Sequence, residues 1–535
     1  MLGLPALLLQ TTAAVVSPLA IRPDTTRLPH DVVHYDVTLL LGDSGTHVLG
    51  QTDVSWRLAS SDPVELQLDS TLRVIRVLVN GRENTRLVRT RWGRQGELIA
   101  VPHDGALGDT LSTRVRYRGE VREGLVFRPD RSGLRVFADN WPDHAHGWLP
   151  VQDHPSDKAT VAFHVQVPAG VQVVANGVLE KIDTLPYEHR VWHYRLNDPI
   201  PTYSMVIGAG KFAINRLGDA GCAARCIPVS LWTTPTDSAA AASGPFRRAS
   251  AIVDYFTQLV GPFPYPSLAH VQAATRFGGM ENATAIFYND SLIRAARLDE
   301  RTVAHETAHQ WFGDAVTPDD WHHLWLSEGF ATYLAVMWAE HTGGSQARGV
   351  AMRREADRLF ASEAIGRPVI DPTVSRPDSL LNDNAYQKGA WVLHQLRGMI
   401  GDSAFTAALR EYYRKYRHGT AVSTDFAEVA SNAAKQNLDW YFRQALTQPG
   451  YPVLDVRWRH QGNAIDLDIR QTQPAPWGTY RLPALVLRID GKDYPIDVSG
   501  RSVRRTLRGF AKPPSRVEVD PGGWWLVKAT VSRER

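Results

Sequence analysis

Two cysteines in 535 residues leave this chain little thiol chemistry. Cys222 and Cys226 stand four apart with no third thiol, so neither a Cys-rich zinc site nor a two-spacer redox dithiol can be built from them. One small local disulfide, suited to an exported protein, or a reduced pair are the readings left. No run of 18 or more apolar residues occurs, so nothing is expected to cross a membrane as a helix. Charge of one sign is also lacking. With 59 basic and 56 acidic side chains the formal net charge is +3, too near balance for an electrostatic binder of nucleic acid. There is no internal repeat and no low-complexity segment. Apolar residues at 43% and charged residues at 21% are ordinary for a globular protein, which excludes disorder, collagen-like repeats and a disulfide scaffold.

The length suggests two to four domains. Leu2 to Leu9 is apolar, followed by Thr11-Thr12-Ala13-Ala14 and Pro18-Leu19-Ala20. That resembles the core and cleavage region of a signal peptide, although the first basic residue is Arg22 and a positively charged start is missing. Residues 1–26 are therefore read as signal peptide and leader of an exported protein, periplasmic or secreted, with a cytoplasmic protein as the alternative. From there to residue 212 strand signals dominate: Val161, Phe163, Val165 and Val167 alternate with polar or small residues, and Asn80-Gly81, Ser132-Gly133 and Asn176-Gly177 mark turns. The period then changes. Phe246, Ala249, Ile252, Val253, Phe256, Leu259 and Val260 recur at helical spacing up to Gly261. Helical patterns continue through Gly389–Ile400, Ala404–Tyr416 and Phe426–Gln436, and alternation returns in Ile465–Ile469 and Val517–Val519. The expectation is a multidomain α+β protein: an N-terminal all-β domain over 27–212, a mainly helical domain over 213–448 and a small C-terminal β domain over 449–535.

The most informative segment is His305-Glu306-Thr307-Ala308-His309, in a helical pattern that opens with the acids Asp299-Glu300 and ends at Gly313. Residues four apart share a helix face, so both imidazoles can converge on one ion. Glu306 is one step round and can reach a water at that ion without ligating it. A bare H-E-x-x-H arises by chance in roughly 3% of chains of this size and composition, so the pair alone does not settle a metal. A catalytic zinc also needs a third protein ligand. Glu328 offers one, 19 positions after His309 in Leu326-Ser327-Glu328-Gly329-Phe330-Ala331-Thr332-Tyr333, whose helical run ends near Gly343-Gly344. Two imidazoles and one carboxylate leave the ion a net positive charge, which acidifies water and polarises a carbonyl.

This pattern, with Trp311-Phe312-Gly313 after the second His, resembles the aminopeptidase N family of zinc metallopeptidases, which includes leukotriene-hydrolysing enzymes. The family's G-x-M-E-N element is matched by Gly278-Gly279-Met280-Glu281-Asn282, some two dozen positions earlier, and the end of its catalytic domain by Gln448-Pro449-Gly450-Tyr451-Pro452-Val453-Leu454. The likeness runs from about His34-Tyr35 to that tail. It implies a thermolysin-like catalytic domain, a β-sandwich-like C-terminal domain without the long helical domain of many relatives, and one Zn²⁺ per chain on His305, His309 and Glu328. It implies Glu306 as general base and Tyr386, in Tyr386-Gln387-Lys388-Gly389-Ala390, as oxyanion donor, with Gln387 where the family often has Glu. Glu281 would accept the ammonium of a peptide's free N-terminus, Gly278 and Gly279 would line the substrate, and Met280 and Asn282 complete that segment, Met280 by packing.

One departure stands out. Where the family has a second amine-binding Glu or Gln, counting back nine from Pro150 reaches Trp141, whose indole N–H only donates. Asp139 or Asp143 could substitute. His144, His146, His322 and His323 match no ligand spacing and are read as surface or cleft residues. Asn282-Ala283-Thr284 fits a glycosylation sequon, but its place in the substrate-binding segment argues against exposure. The competing functions are an endopeptidase or epoxide-opening hydrolase in the same cleft, and an exported binding module with a structural zinc.

Overall fold

The computed structural model describes residue 19 and residues 30–42, 46–86, 88–92, 96–129 and 133–534. Apart from Leu19, the leader expected over 1–26 lies outside the described residues, as does Ser132 of one expected turn. No helix among the described residues is long and apolar enough to cross a membrane.

The N-terminal region is β-rich because its segments alternate. In β1 (Asp31–Leu41) Tyr35, Val37, Leu39 and Leu41 are buried, and in β2 (Lys158–Pro168) Val161, Phe163, Val165 and Val167 are. With β3 (Val178–Leu185) and β4 (His189–Pro201) they form one side of an eight-stranded sheet in the order β3-β4-β2-β1, continued by His47–Arg57, Thr110–Glu120, Leu72–Val79 and Arg82–Glu83. The β1–β2 pair is parallel and its neighbours are antiparallel. Asn80 and Gly81, at φ of 47° and 79°, make the tight hairpin their sequence announces.

The mainly helical region expected over 213–448 opens on a sheet. Strands β5 (Ala213–Ala220), β6 (Ile227–Thr233), β7 (Leu268–Ala273), β8 (Gly279–Met280) and β9 (Ala285–Asn289) build a five-stranded sheet in the order β5-β6-β7-β9-β8. β6, β7 and β9 run parallel, and β8 pairs antiparallel at the edge. Every residue of β7 is buried, its alternating polar residues His270 and Gln272 included, so that alternation marks no solvent face. Cys222 and Cys226 form a disulfide that closes the β5–β6 connection.

Helices follow where the periodicity puts them. The longer ones are α1 (Ala249–Leu259), α2 (Glu300–His309), α3 (Trp325–Phe360) and α4 (Gly389–Tyr416), then Ser423–Ala434 and Asp439–Thr447. α3 breaks at Gly344 (φ 70°) and α4 at Gly401 (φ 80°), left-handed conformations that glycine adopts without strain. The C-terminal region stacks a four-stranded on a three-stranded sheet. Leu454, Val456, Ile465 and Leu467 of one meet Leu485, Leu487, Ile489 and Ile496 of the other in a core separate from that of the rest.

Candidate metal centre and active site

Asp299 caps α2, its carboxylate accepting from the Thr302 amide at 2.9 Å, and this fixes where the helix starts. The helical pitch then brings His305 Nε2 within 3.1 Å of His309 Nε2. Glu328, in the first turn of α3, places Oε2 3.3 Å from each of them. Ligand bonds of roughly 2.0–2.2 Å at tetrahedral angles span edges of about 3.3–3.6 Å, so this triangle is close to one face of a zinc tetrahedron with the fourth corner open. Glu328 Oε2 is moreover buried without a hydrogen-bond donor, as a ligand atom would be. The three residues fit a zinc ion.

The surrounding contacts aim these ligands. His309 Nδ1 lies 3.1 Å from the Phe312 carbonyl and 3.0 Å from Ser327 Oγ; donation to the carbonyl leaves the Nε2 lone pair facing the triangle. Gly313 (φ 130°) carries no side chain because a Cβ would come within 2.6 Å of Ser327 Oγ and 3.0 Å of His309 Nδ1. The Tyr203 hydroxyl from the β region donates to the Gly313 carbonyl at 3.0 Å, and half-buried Lys158 donates to the carbonyls of Asp314 and Ala315 at 2.8 and 2.9 Å. The end of α2 is thus held by the N-terminal region.

A cavity opens on the triangle. Glu306, Glu281 and Tyr386 line it with the three ligands, and Trp141, Phe277 and Leu381 form its apolar wall. Gly279 and Met280 also line it; the Glu306 carboxyl packs so closely on Gly279 that a Cβ there would collide with it. Gly278 and Asn282 do not line this cavity. Gly278 accepts from the Asn289 amide at 3.2 Å, and Asn282 is buried, which rules out the sequon as an exposed acceptor.

Carboxylate oxygens of Glu281 and Glu306 and a nitrogen of His309 lie within 4.8 Å of one another. Burial, opposed by His309 and reinforced by Glu328, raises Glu281 to about 7. Burial also lifts Glu306 well above the carboxylate range, against His309 and with Glu281 and Glu328. Gln310, which sequence reasoning missed, ties these parts together. Its Nε2 donates to the Glu281 carbonyl at 2.7 Å and to Asp314 at 2.8 Å, while its Oε1 accepts from the Thr284 amide at 2.8 Å. Its only signal was its place next to His309, four residues before Asp314.

Tyr386 sits in a π-helical turn, Asn384–Lys388, that leads into α4, and its ring stacks on His305 at 5.9 Å. Burial, then the charge of Glu328, keeps its phenol protonated. The neighbouring Gln387 donates to Glu355 at 3.2 Å. A glutamate there would face a buried carboxylate, which accounts for the departure at this position. α3 and α4 cross at bare backbone: a Cβ on Gly329 would lie 2.8 Å from Gly389 Cα, and one on Gly389 2.9 Å from Gly329 Cα. Gly329 follows Glu328 and Gly389 comes three residues after Tyr386, so this crossing sets their separation. Gly389→Ala is expected to cost about 1–3 kcal/mol through overpacking, read as a lower thermal midpoint. Gly366→Ala, with open space around it, is the neutral control.

Trp141 stands where the second acid was expected, its ring edge-on to Phe277 at 6.0 Å and to Trp321 at 5.5 Å. Among the described residues neither Asp139 nor Asp143 lines the cavity. Asp139 lies 3.6 Å from Arg276 and Asp143 3.8 Å from His144. The reading of histidines as surface or cleft residues is corrected for three of the four, His144 being half-buried. His146, His322 and His323 are buried, at 3.0 Å from Asp153, 2.6 Å from Asp320 and 2.8 Å from Ser423, and His144 lies 3.2 Å from Glu123.

Residues 247–444 match the Peptidase family M1 domain. "Probable aminopeptidase 2" of Sulfurisphaera tokodaii is 25% identical over 73% of this chain and 51% of its own length. "Leucyl aminopeptidase" of Saccharolobus solfataricus is 24% identical over 76% and 52%. The chain thus spans about half the length of the curated relatives it matches. Among solved structures, an M1 zinc metallopeptidase from Deinococcus radiodurans superposes with a TM-score of 0.67 at 24% identity, covering 79% of this chain and 95% of that one. Legionella pneumophila aminopeptidase A does so at 0.79 and 17%, covering 94% and 60%. Residues 247–444, which hold both candidate zinc helices, are thus matched as a Peptidase family M1 domain, and the fold of M1 zinc metallopeptidases extends beyond them.

Proposed function

We propose that the protein is a zinc-dependent aminopeptidase that removes N-terminal residues from peptides, with one Zn²⁺ on His305, His309 and Glu328. The observation that carries this reading is Glu281, a buried carboxylate in the cavity of the triad and within 4.8 Å of Glu306 and His309 atoms. A carboxylate in so desolvated a place needs a cation, and the free ammonium of a peptide supplies one. Several relatives bear aminopeptidase names, and a variant of the Deinococcus enzyme is described as bound to a Tyr-Ser-Ala substrate.

Zinc bound in this triangle supplies Lewis acidity toward the scissile carbonyl and makes water more acidic. Glu281 fixes the substrate's amine. Glu306 takes a proton from the attacking water and hands it to the leaving amine. Tyr386 donates its phenolic hydrogen to the oxygen that gains charge. Trp141 and Phe277 keep bulk water away from the amine end, and without a second acid Glu281 carries the recognition alone. The Cys222–Cys226 disulfide supports our reading of an exported protein.

Aminoacyl reporter amides test this. The protein should cleave them, lose the activity to a chelator and reject N-acetylated analogues. Glu281→Gln should lower kcat/KM for free-amine substrates by about 10²-fold, the worth of a charge-assisted hydrogen bond of ~3 kcal/mol. Equal turnover of free and acetylated peptides would instead favour the endopeptidase reading, and chelator-insensitive cleavage would sink both.

A further inference from the structure

Tyr386 and Lys388 share the π-helical turn Asn384–Lys388 but serve different places: Tyr386 lines the metal cavity, and Lys388 lines a second, smaller one. This second cavity, of about 30 Å³, lies where the helical region meets the C-terminal β region. Lys388, Trp391 and Gln395 reach it at the i, i+3, i+7 spacing of one helix face, from α4 and the turn before it. Gln444 of the helix Asp439–Thr447, Tyr451 and Tyr480 help to close it.

The polar groups around this cavity are out of balance. Lys388 is 4% exposed, its Nζ donates to the Gln448 carbonyl at 2.7 Å, and among the described residues it has no ion pair. No residue lining the cavity is acidic. The side-chain acceptors are already engaged: Gln395 Oε1 takes the Leu526 amide at 2.8 Å and Gln444 Oε1 the Arg481 amide at 2.6 Å. The Tyr480 hydroxyl donates to the Pro449 carbonyl at 2.6 Å. What is left over is donors. An ammonium has three N–H bonds, of which Lys388 uses one, and equally buried Trp391 has an indole N–H without any acceptor. A buried charge and buried donors left in this state cost free energy until something accepts from them. Burial, with no neighbouring charge to oppose it, lowers Lys388 to about 7, so a counter-ion at its side keeps the proton on.

We propose that this cavity binds one small monovalent anion of the halide class, held by the ammonium of Lys388 and the indole N–H of Trp391. The site is separate from the metal triangle and owes nothing to the peptidase reading. Size and donor count select the anion. A volume of about 30 Å³ equals one water molecule's share of the liquid, too little for phosphate, sulfate or a carboxylate. Each of those would also bring more acceptor oxygens than there are donors to meet them. A halide is a single acceptor that takes both donors at once. Water, the competing occupant, satisfies the N–H groups but leaves the charge uncompensated. Because Lys388 ends the turn that carries Tyr386 and bonds to Gln448, a filled site ties that turn to the end of the helical region.

Crystals of the zinc-loaded protein soaked in sodium bromide should show an anomalous peak within hydrogen-bond reach of Lys388 Nζ and Trp391 Nε1. In solution, chloride replacing gluconate at constant ionic strength should raise the melting temperature along a saturable curve, by about 1 °C per tenfold of chloride past half-saturation. Lys388→Met, which keeps the stem without the charge, should lose both the peak and this chloride response. Trp391→Phe, which keeps an aromatic ring and the lysine, should weaken chloride by about 10-fold or more, the worth of one hydrogen bond to a charged group. It carries the test if Lys388→Met misfolds. The proposal is overturned if the bromide map shows no peak in the cavity, or if the variants respond to chloride as wild type does.

Discussion

Glu306→Gln is expected to yield a folded, zinc-loaded protein whose kcat falls by about 10²–10⁴-fold, the usual worth of a positioned general base. The substitution is nearly isosteric, and the amide can occupy the place against Gly279 that the carboxylate fills. It cannot accept a proton at neutral pH. His305, His309 and Glu328 keep their mutual distances of 3.1–3.3 Å, because α2 and α3 are packed independently of this side chain's charge. Zinc content by atomic spectroscopy should equal that of wild type, and KM should move little, since in the proposed function Glu281 and not Glu306 holds the amine. A variant that retains activity within tenfold of wild type would show that the proton is moved elsewhere. A variant that loses its zinc would mean that Glu306 is part of the metal site.

Much of this centre was legible because helical pitch does the placing: any helix through His305 and His309 puts both rings on one face. Glu328 was legible as a candidate because a catalytic zinc needs a third ligand, but only the family's spacing singled it out, since nothing in the eighteen intervening positions dictates where α3 docks. The sheet beneath the site was not legible. β7 is six residues long and buries even its polar His270 and Gln272, and β8 is two residues long, so neither is long enough for its pattern to stand out. Gly329 and Gly389 read as isolated glycines, and only the crossing of α3 and α4 shows that they touch. Gln310 escaped for another reason. An amide beside a metal ligand has no titration and no ligand chemistry of its own, and its importance lies in three hydrogen bonds made after folding. The buried histidines mislead in the opposite sense. His146, His322 and His323 belong to structural hydrogen bonds that no spacing rule distinguishes from a surface position.

Tyr386→Phe removes one oxygen from the cavity wall and should lower kcat by about 10²–10³-fold, the cost of losing a single donor to a developing oxyanion. The ring should stay in place, since its stacking on His305 at an interplanar angle of 13° owes nothing to the hydroxyl. The π-helical turn that presents it is tied down separately, Asn384 Nδ2 donating to the carbonyls of Ala364 and Arg367 at 2.6 and 2.9 Å. Because a donor aimed at the transition state contributes little to the ground state, kcat and kcat/KM should fall together while KM stays near its wild-type value. A tetrahedral phosphinic dipeptide analogue sharpens the test. It should bind the variant more weakly by a factor close to the loss in kcat/KM, whereas a simple amino-acid product should bind both proteins alike. If Tyr386 instead served only to pack against His305, the phenylalanine ring would replace it fully, and neither the rate nor the affinity for the analogue would change.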